Sequence, residues 1–264
     1  MWGIMAEAGT AAIADAGIRK EDIDGVMTFG VPPAAIAEWL GVKPRHFCSA
    51  TQNAGSSSAC ALITASALID AGVCNYVLGM FGGQRDAAIS NVPGTAGMSH
   101  EEARGTSPDG EFSGIYGPTV AANNPYGWLY TRHMFEYGTH ENALWHMAVN
   151  QRYNCMNNPR SAFRAAGLLT MDDVGNSRFI NYPLHILESV MPTAGAAAYI
   201  VTSAERAKAT RKPAYILGIG FNQGSATAWV NPRLTISPTL IAAQDAYRMA
   251  GMSWQDIQFA EFYD

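Results

Sequence analysis

A short pattern written twice, 234 residues apart, constrains this chain more than any other feature. Ala16-Gly17 followed by Asp22-Ile23 returns as Ala250-Gly251 followed by Asp256-Ile257, with the same offset for both pairs (250 − 16 and 256 − 22). In each copy a helix is predicted to stop at glycine, the residue that takes a left-handed conformation at little cost. A short acidic turn and the start of a strand follow. Recurrence of this kind predicts two related α/β halves. The first copy runs on through strand, helix and strand to about Met80, whereas the second reaches Asp264 just inside its first strand. A half that stopped there would leave a sheet edge and an apolar face uncovered. The sequence is therefore expected to lack a C-terminal portion on the order of a hundred residues.

Between the two copies the pattern is that of an α/β protein. Residues 5–17 read as a helix, 25–30 as a short strand and 34–40 as an amphipathic helix. The stretch 56–71 is small and apolar and ends at Gly72, which suits a helix with other backbones close to it. Tyr76 to Met80 reads as a buried strand. From about 84 to 127 the chain is rich in Gly, Pro, Ser and Asn, as in a loop that covers a site. Helical pattern returns from Tyr130 to Met156 and breaks at Asn157-Asn158-Pro159-Arg160. Residues 195–202 and 214–220 read as strands on either side of a helix start at Ser203. The expected division is a core at 1–83, a loop and helical insertion at 84–190, the end of the first half at 191–240, and the start of a second half at 241–264.

Of 264 residues, 48% are hydrophobic and 15% charged, which is ample for a large core. Seventeen basic and 22 acidic side chains give a net charge of -5 without a basic stripe, so no nucleic-acid partner is expected. No apolar run reaches the roughly 20 residues of a membrane span. The first residues show no basic segment followed by an apolar one, so no secretory signal is expected. The four cysteines, Cys48, Cys60, Cys74 and Cys155, have neither metal-ligand spacing nor a disulfide pattern, which points to a reducing, cytoplasmic setting. His133, His140 and His146 read as surface or core histidines, since His140 and His146 are not spaced to share one helix face.

Several segments resemble one family. Asn53-Ala54-Gly55-Ser56-Ser57-Ser58-Ala59, the helix to Gly72 and the strand at Tyr76–Met80 look like the nucleophile segment of thiolases. Tyr130-Thr131-Arg132-His133-Met134, Glu136-Tyr137-Gly138-Thr139, Val149-Asn150-Gln151-Arg152 and Asn158-Pro159-Arg160 resemble the sterol-carrier-type branch. So do Ala194-Gly195-Ala196-Ala197-Ala198 and Ala260-Glu261-Phe262-Tyr263-Asp264. The resemblance covers nearly the whole chain. It implies a thiolase fold of duplicated αβαβα layered halves, with the second half incomplete in this sequence.

The position that thiolases fill with cysteine falls on Gly55. Cys60 lies five residues further on, over one turn into the helix. Thiolysis and Claisen condensation in that family pass through an acyl-cysteine, and glycine offers no nucleophile. Ser56 and Ser57 stand at the helix start, where serine commonly serves as an N-cap. They are retained with His100 and Gly195 as candidates for lining a substrate pocket. Thr193-Ala194 also stands where many relatives carry an acidic residue before the Gly-Ala run.

The sequence is therefore most similar to the nucleophile-less branch, typified by retro-aldolases that cleave the side chain of β-hydroxyacyl-CoA steroid intermediates. That resemblance makes Tyr263 the expected catalytic residue, with Asp264 supporting it. It implies a coenzyme A thioester as substrate with no covalently bound cofactor and no metal. It further implies a homodimer that recruits a small OB-fold and zinc-ribbon partner. Two other readings stay open: an acetyl-CoA acetyltransferase or other thiolase-type acyltransferase with an unusual nucleophile, and a non-catalytic subunit that binds acyl-CoA.

Overall fold

The computed structural model describes residues 2–83, 123–190, 194–210, 212–224 and 231–262. The chain divides into two compact units, one formed by Met1–Arg85, Thr193–Asn222 and Thr239–Asp264, the other by Asp86–Pro192 and Gln223–Pro238. The first unit begins with α1 (Trp2–Ala16), β1 (Gly25–Phe29), α2 (Pro33–Leu40), β2 (Phe47–Ala50), α3 (Ser57–Asp70) and β3 (Tyr76–Gly83). The second unit contains α4 (Asn123–Tyr137), α5 (Ala143–Cys155), α6 (Met171–Gly175) and a hairpin of β4 (Phe179–Asn181) and β5 (Leu184–His185). The chain returns to the first unit with β6 (Gly195–Thr202), α7 (Ala204–Ala207) and α8 (Thr239–Ala250).

The main sheet has the order β2-β1-β3-β6. Its first three strands are parallel, and β6 runs antiparallel to β3, from Gly195 opposite Gly83 to Thr202 opposite Tyr76. Alternation along β3 sorts its side chains between two faces. Leu78 and Met80 join Val26 of β1 under Met5 and Ile13 of α1 and Ile36 and Leu40 of α2. Val77 faces the opposite way, with Met27, Val201, Cys74 and the α3 residues Ala61 and Ala65. Each large apolar side chain buried in this way contributes about 1.5–3 kcal/mol.

Small residues set how closely the helices approach. Helix α1 buries Met5, Gly9 and Ile13 at a spacing of four, a single stripe on its inner face. A Cβ on Gly9 would come within 2.8 Å of the Met80 sulfur, so glycine here permits contact between α1 and the sheet. Helix α3, read from its small residues as closely approached, buries Ser57, Cys60, Ala61 and Ala65.

Three expectations are corrected. Residues 214–220 form no ladder among the described residues. They run instead against α8, where a Cβ on Gly218 or Gly220 would overlap the backbone of Ala246 or Ala242. The single helical stretch from Tyr130 to Met156 is two helices, parted at Gly138, whose φ of 65° ends α4. Helix α4 also begins at Asn123, inside the stretch read as loop. Strand β2 escaped notice because Phe47-Cys48-Ser49-Ala50 is too short to show a period.

Candidate functional site

In an open α/β sheet, ligands gather outside the carboxyl ends of the parallel strands. The chain brings its thiolase-like segment to that edge. At the end of β2 the Thr51 N–H donates to Thr28 O (2.9 Å), and residues 54–56 form a single 3-10 turn before α3 begins. Because α3 joins two parallel strands, its first turn lies at their carboxyl edge. Strand β6 starts at the same edge, with Gly195 opposite Gly83 and, among the described residues, open space where either would carry a Cβ. Gly55, Ser56, Ser57 and Gly195 are thus gathered at one rim of the sheet. His100, Tyr263 and Asp264 lie outside the described residues.

The two serines differ from the expected simple cap. Ser56 occupies the N-cap position but makes no side-chain capping bond. Its hydroxyl donates to Asn53 O at 2.8 Å, and the Cys60 thiol donates to Ser56 Oγ at 3.8 Å. Ser57 is 1% exposed, and its hydroxyl accepts from the Asn53 N–H at 2.9 Å. Both hydroxyls therefore tie the turn to Asn53. Ser56 directs its proton at a backbone carbonyl, which cannot act as a general base toward a nucleophile. Cys60 is buried at 8% exposure, while Gly55 is exposed.

A second polar cluster, which sequence reasoning missed, lies within the other unit. His185 is 3% exposed, and its Nδ1 lies 2.6 Å from Ser177 O. A carbonyl only accepts, so Nδ1 carries the proton. Glu188 accepts from the His185 N–H at 2.6 Å. Burial raises the Glu188 carboxyl above its ordinary range and outweighs that hydrogen bond. Trp145 stands edge-on to the His185 ring at 5.6 Å. Among the described residues, the buried Trp145 Nε1 and Glu188 Oε1 atoms find no hydrogen-bond partner. Nothing in the spacing of His185 and Glu188 announced this cluster, because the hairpin and α5 assemble it across 40 residues of sequence.

No group of three or more His, Cys, Asp or Glu side chains able to hold a metal ion occurs among the described residues. Within them, too, no helix is long and apolar enough to cross a membrane. Cys48, Cys60, Cys74 and Cys155 are all free thiols.

No protein-family model matches the chain. Among solved structures, a monomeric SCP2-thiolase like protein type 1 from Mycobacterium smegmatis superimposes over 97% of this chain and 55% of its own, with a TM-score of 0.74 at 19% identity. The chain has a thiolase-type fold. The Ltp2-ChsH2(DUF35) aldolase gives a TM-score of 0.81 at 25% identity, covering 97% of this chain and 66% of that one. In sequence, this thiolase-type chain is 28% identical to a steroid side-chain-cleaving aldolase of Thermomonospora curvata, over 98% of its length and 68% of the relative's. It is also 28% identical to a 17-hydroxy-3-oxo-4-pregnene-20-carboxyl-CoA lyase of Mycobacterium tuberculosis, over 99% and 69%. An acetyl-CoA acetyltransferase of Methanothermobacter thermautotrophicus matches at 28% as well, over 99% and 68%. The chain spans about two-thirds of the length of the three sequence relatives and of the aldolase structure. The resemblance to thiolase-like aldolases is thus supported by both sequence and fold.

Proposed function

We propose that this chain is the thiolase-fold part of a CoA-thioester lyase that cleaves a β-hydroxyacyl-CoA by a retro-aldol reaction. The reading is carried by two serine hydroxyls already bonded to Asn53, beside Gly55, which the sequence resemblance aligns with the thiolase cysteine. Aldolase and lyase relatives of the same fold agree with it. A base takes the proton from the β-hydroxyl, and the oxygen's electron pair becomes a carbonyl. The Cα–Cβ bond breaks, and its electrons form the thioester enolate, which is then protonated at Cα. The products are a ketone or aldehyde and a shortened acyl-CoA. No step requires an acyl-enzyme, in keeping with glycine at position 55. The start of α3 carries the positive end of a 14-residue helix dipole, a favourable neighbour for a developing enolate oxygen.

In this reading Tyr263 is the proton shuttle and Asp264 supports it. A phenol with an ordinary pKa of about 10 serves only if its site lowers that value. The substrate class is a CoA thioester, and a steroid side chain is the form suggested by two of the relatives' names. The working assembly is a cytoplasmic homodimer with a small OB-fold and zinc-ribbon partner. A heteromeric aldolase among the structural neighbours supports recruitment of a partner. The acyltransferase reading keeps one observation in its favour, the equal identity to an acetyl-CoA acetyltransferase.

The test compares the complete protein, in complex with its partner, with its Tyr263→Phe variant on a panel of β-hydroxyacyl-CoA thioesters. Loss of carbonyl-product release in the variant is the expected result. Equal turnover by both proteins would remove Tyr263 from the mechanism.

A further inference from the structure

Tyr199 links the main sheet to the start of α3. It lies on β6, and its hydroxyl donates to Ser58 O, in the first turn of α3, at 3.0 Å. The ring is held in a slot built for it. Phe81 of β3 stacks against it at 5.5 Å between centroids, with an interplanar angle of 20°. Opposite it in the ladder stands Gly79, where any Cβ would overlap the ring. Burial pushes the phenol above its usual range, so the hydroxyl remains a donor at neutral pH. On its loop side, the same first turn is fixed by Asn53 through Ser56 and Ser57.

We infer that Tyr199 is a positioning residue, which fixes the α3 start, and with it Gly55, against the sheet at the reacting edge. The Asn53 bonds set the local shape of the turn, but they lie within one segment and cannot set its distance from β6. Tyr199 spans that distance, and its ring is fixed by Phe81 and by the missing side chain of Gly79. The hydroxyl is therefore presented at one place, and the helix start is held there. A displacement of about 1 Å at a reacting centre can cost on the order of a hundredfold in rate. The catalytic part of this inference rests on the retro-aldol reading, whereas the anchoring part does not.

The experiment uses the complete protein with its partner and the Tyr199→Phe variant, which keeps the ring and removes the hydroxyl. Two quantities are read: amide hydrogen exchange across residues 53–60, and kcat and KM for β-hydroxyacyl-CoA cleavage. The expected result is faster exchange confined to residues 53–60, with kcat lowered about tenfold and KM within about twofold. Gly79→Ala, which keeps the hydroxyl but pushes the ring, is expected to give the same exchange pattern, and it stands in should Tyr199→Phe fail to fold. Unchanged exchange at 53–60 in a folded variant would overturn the inference. So would slowed turnover with exchange raised evenly across the sheet, the mark of general destabilisation. If the unaltered protein cleaves none of the thioesters but local exchange still rises, the retro-aldol reading fails and the anchor stands.

Discussion

Gly17 and Gly251, 234 residues apart, end their helices with the same backbone turn, at φ of 66° and 65°. Behind each, a 3-10 turn ends on an aspartate, Asp22 or Asp256, whose carboxylate accepts the N–H three residues earlier. Among the described residues no atom lies within 4 Å of a Cβ built at either glycine, so a side chain there meets backbone strain. Gly17→Ala and Gly251→Ala are each expected to cost about 1 kcal/mol. Thermal unfolding checks this. An unchanged midpoint in either variant would show that its turn does not need the left-handed conformation.

Asp24 joins the start of β1 to the start of β3. Its carboxylate accepts from the N–H groups of Asn75 and Tyr76 and from the Asn75 side-chain amide, at 2.8–2.9 Å. Burial opposes the charge, but these bonds and nearby His46 outweigh it and hold the carboxyl below its ordinary range. A depressed carboxylate contributes stability above its unfolded pKa of about 3.9, and that contribution is lost as pH falls through the lower folded value. Asp24→Asn is expected to cost about 1–3 kcal/mol at pH 7 and progressively less below about pH 4. Denaturant titrations at several pH values read this directly. A cost that stays constant with pH would contradict it.

Glu188 behaves in the opposite sense. Its carboxyl is raised by burial, so its charged form burdens the fold above the ordinary glutamate pKa of about 4.3. Glu188→Gln keeps an oxygen acceptor for the His185 N–H and removes the charge. The variant is expected to be more stable than the parent at pH 7, with the gain fading as pH falls toward 4. Melting curves at the two pH values decide the sign. A variant less stable at pH 7 would mean that the carboxylate is charged and satisfied.

The elements that were legible in the sequence are those with a local signature. Gly17 and Gly251 marked helix ends, Tyr76 to Met80 marked a buried strand, and the small residues of α3 marked close packing. Gly55 is singled out because the resemblance carries a chemical expectation to that position. What stayed hidden depends on partners distant in sequence. The 214–220 segment has strand composition, yet Gly218 and Gly220 fit it against α8. His185 becomes a buried donor only once Ser177 folds back onto it. Tyr199 and Ser58 are 141 residues apart, and no period or spacing connects them.

Position 55 also makes a prediction about reactivity. Gly55 is exposed just ahead of α3, where the helix dipole lowers a thiol pKa, whereas Cys60 is buried. In Gly55→Cys, the new thiol is expected to react with iodoacetamide at least about tenfold faster than Cys60, in line with its greater thiolate fraction and access. Peptide-resolved mass spectrometry after short labelling gives the comparison. Equal labelling of the two would show that position 55 lacks the electropositive setting assigned to it.

The proposed reaction cleaves a carbon–carbon bond without an acyl-enzyme. The most direct measurement follows the complete protein with its partner during turnover of a β-hydroxyacyl-CoA, recording small-molecule products and intact protein mass together. A carbonyl fragment and a shortened acyl-CoA are expected in equal amounts, with the protein mass unchanged throughout. A protein that gains the mass of an acyl group while releasing free CoA would contradict it, and would place this chain among the acyltransferases.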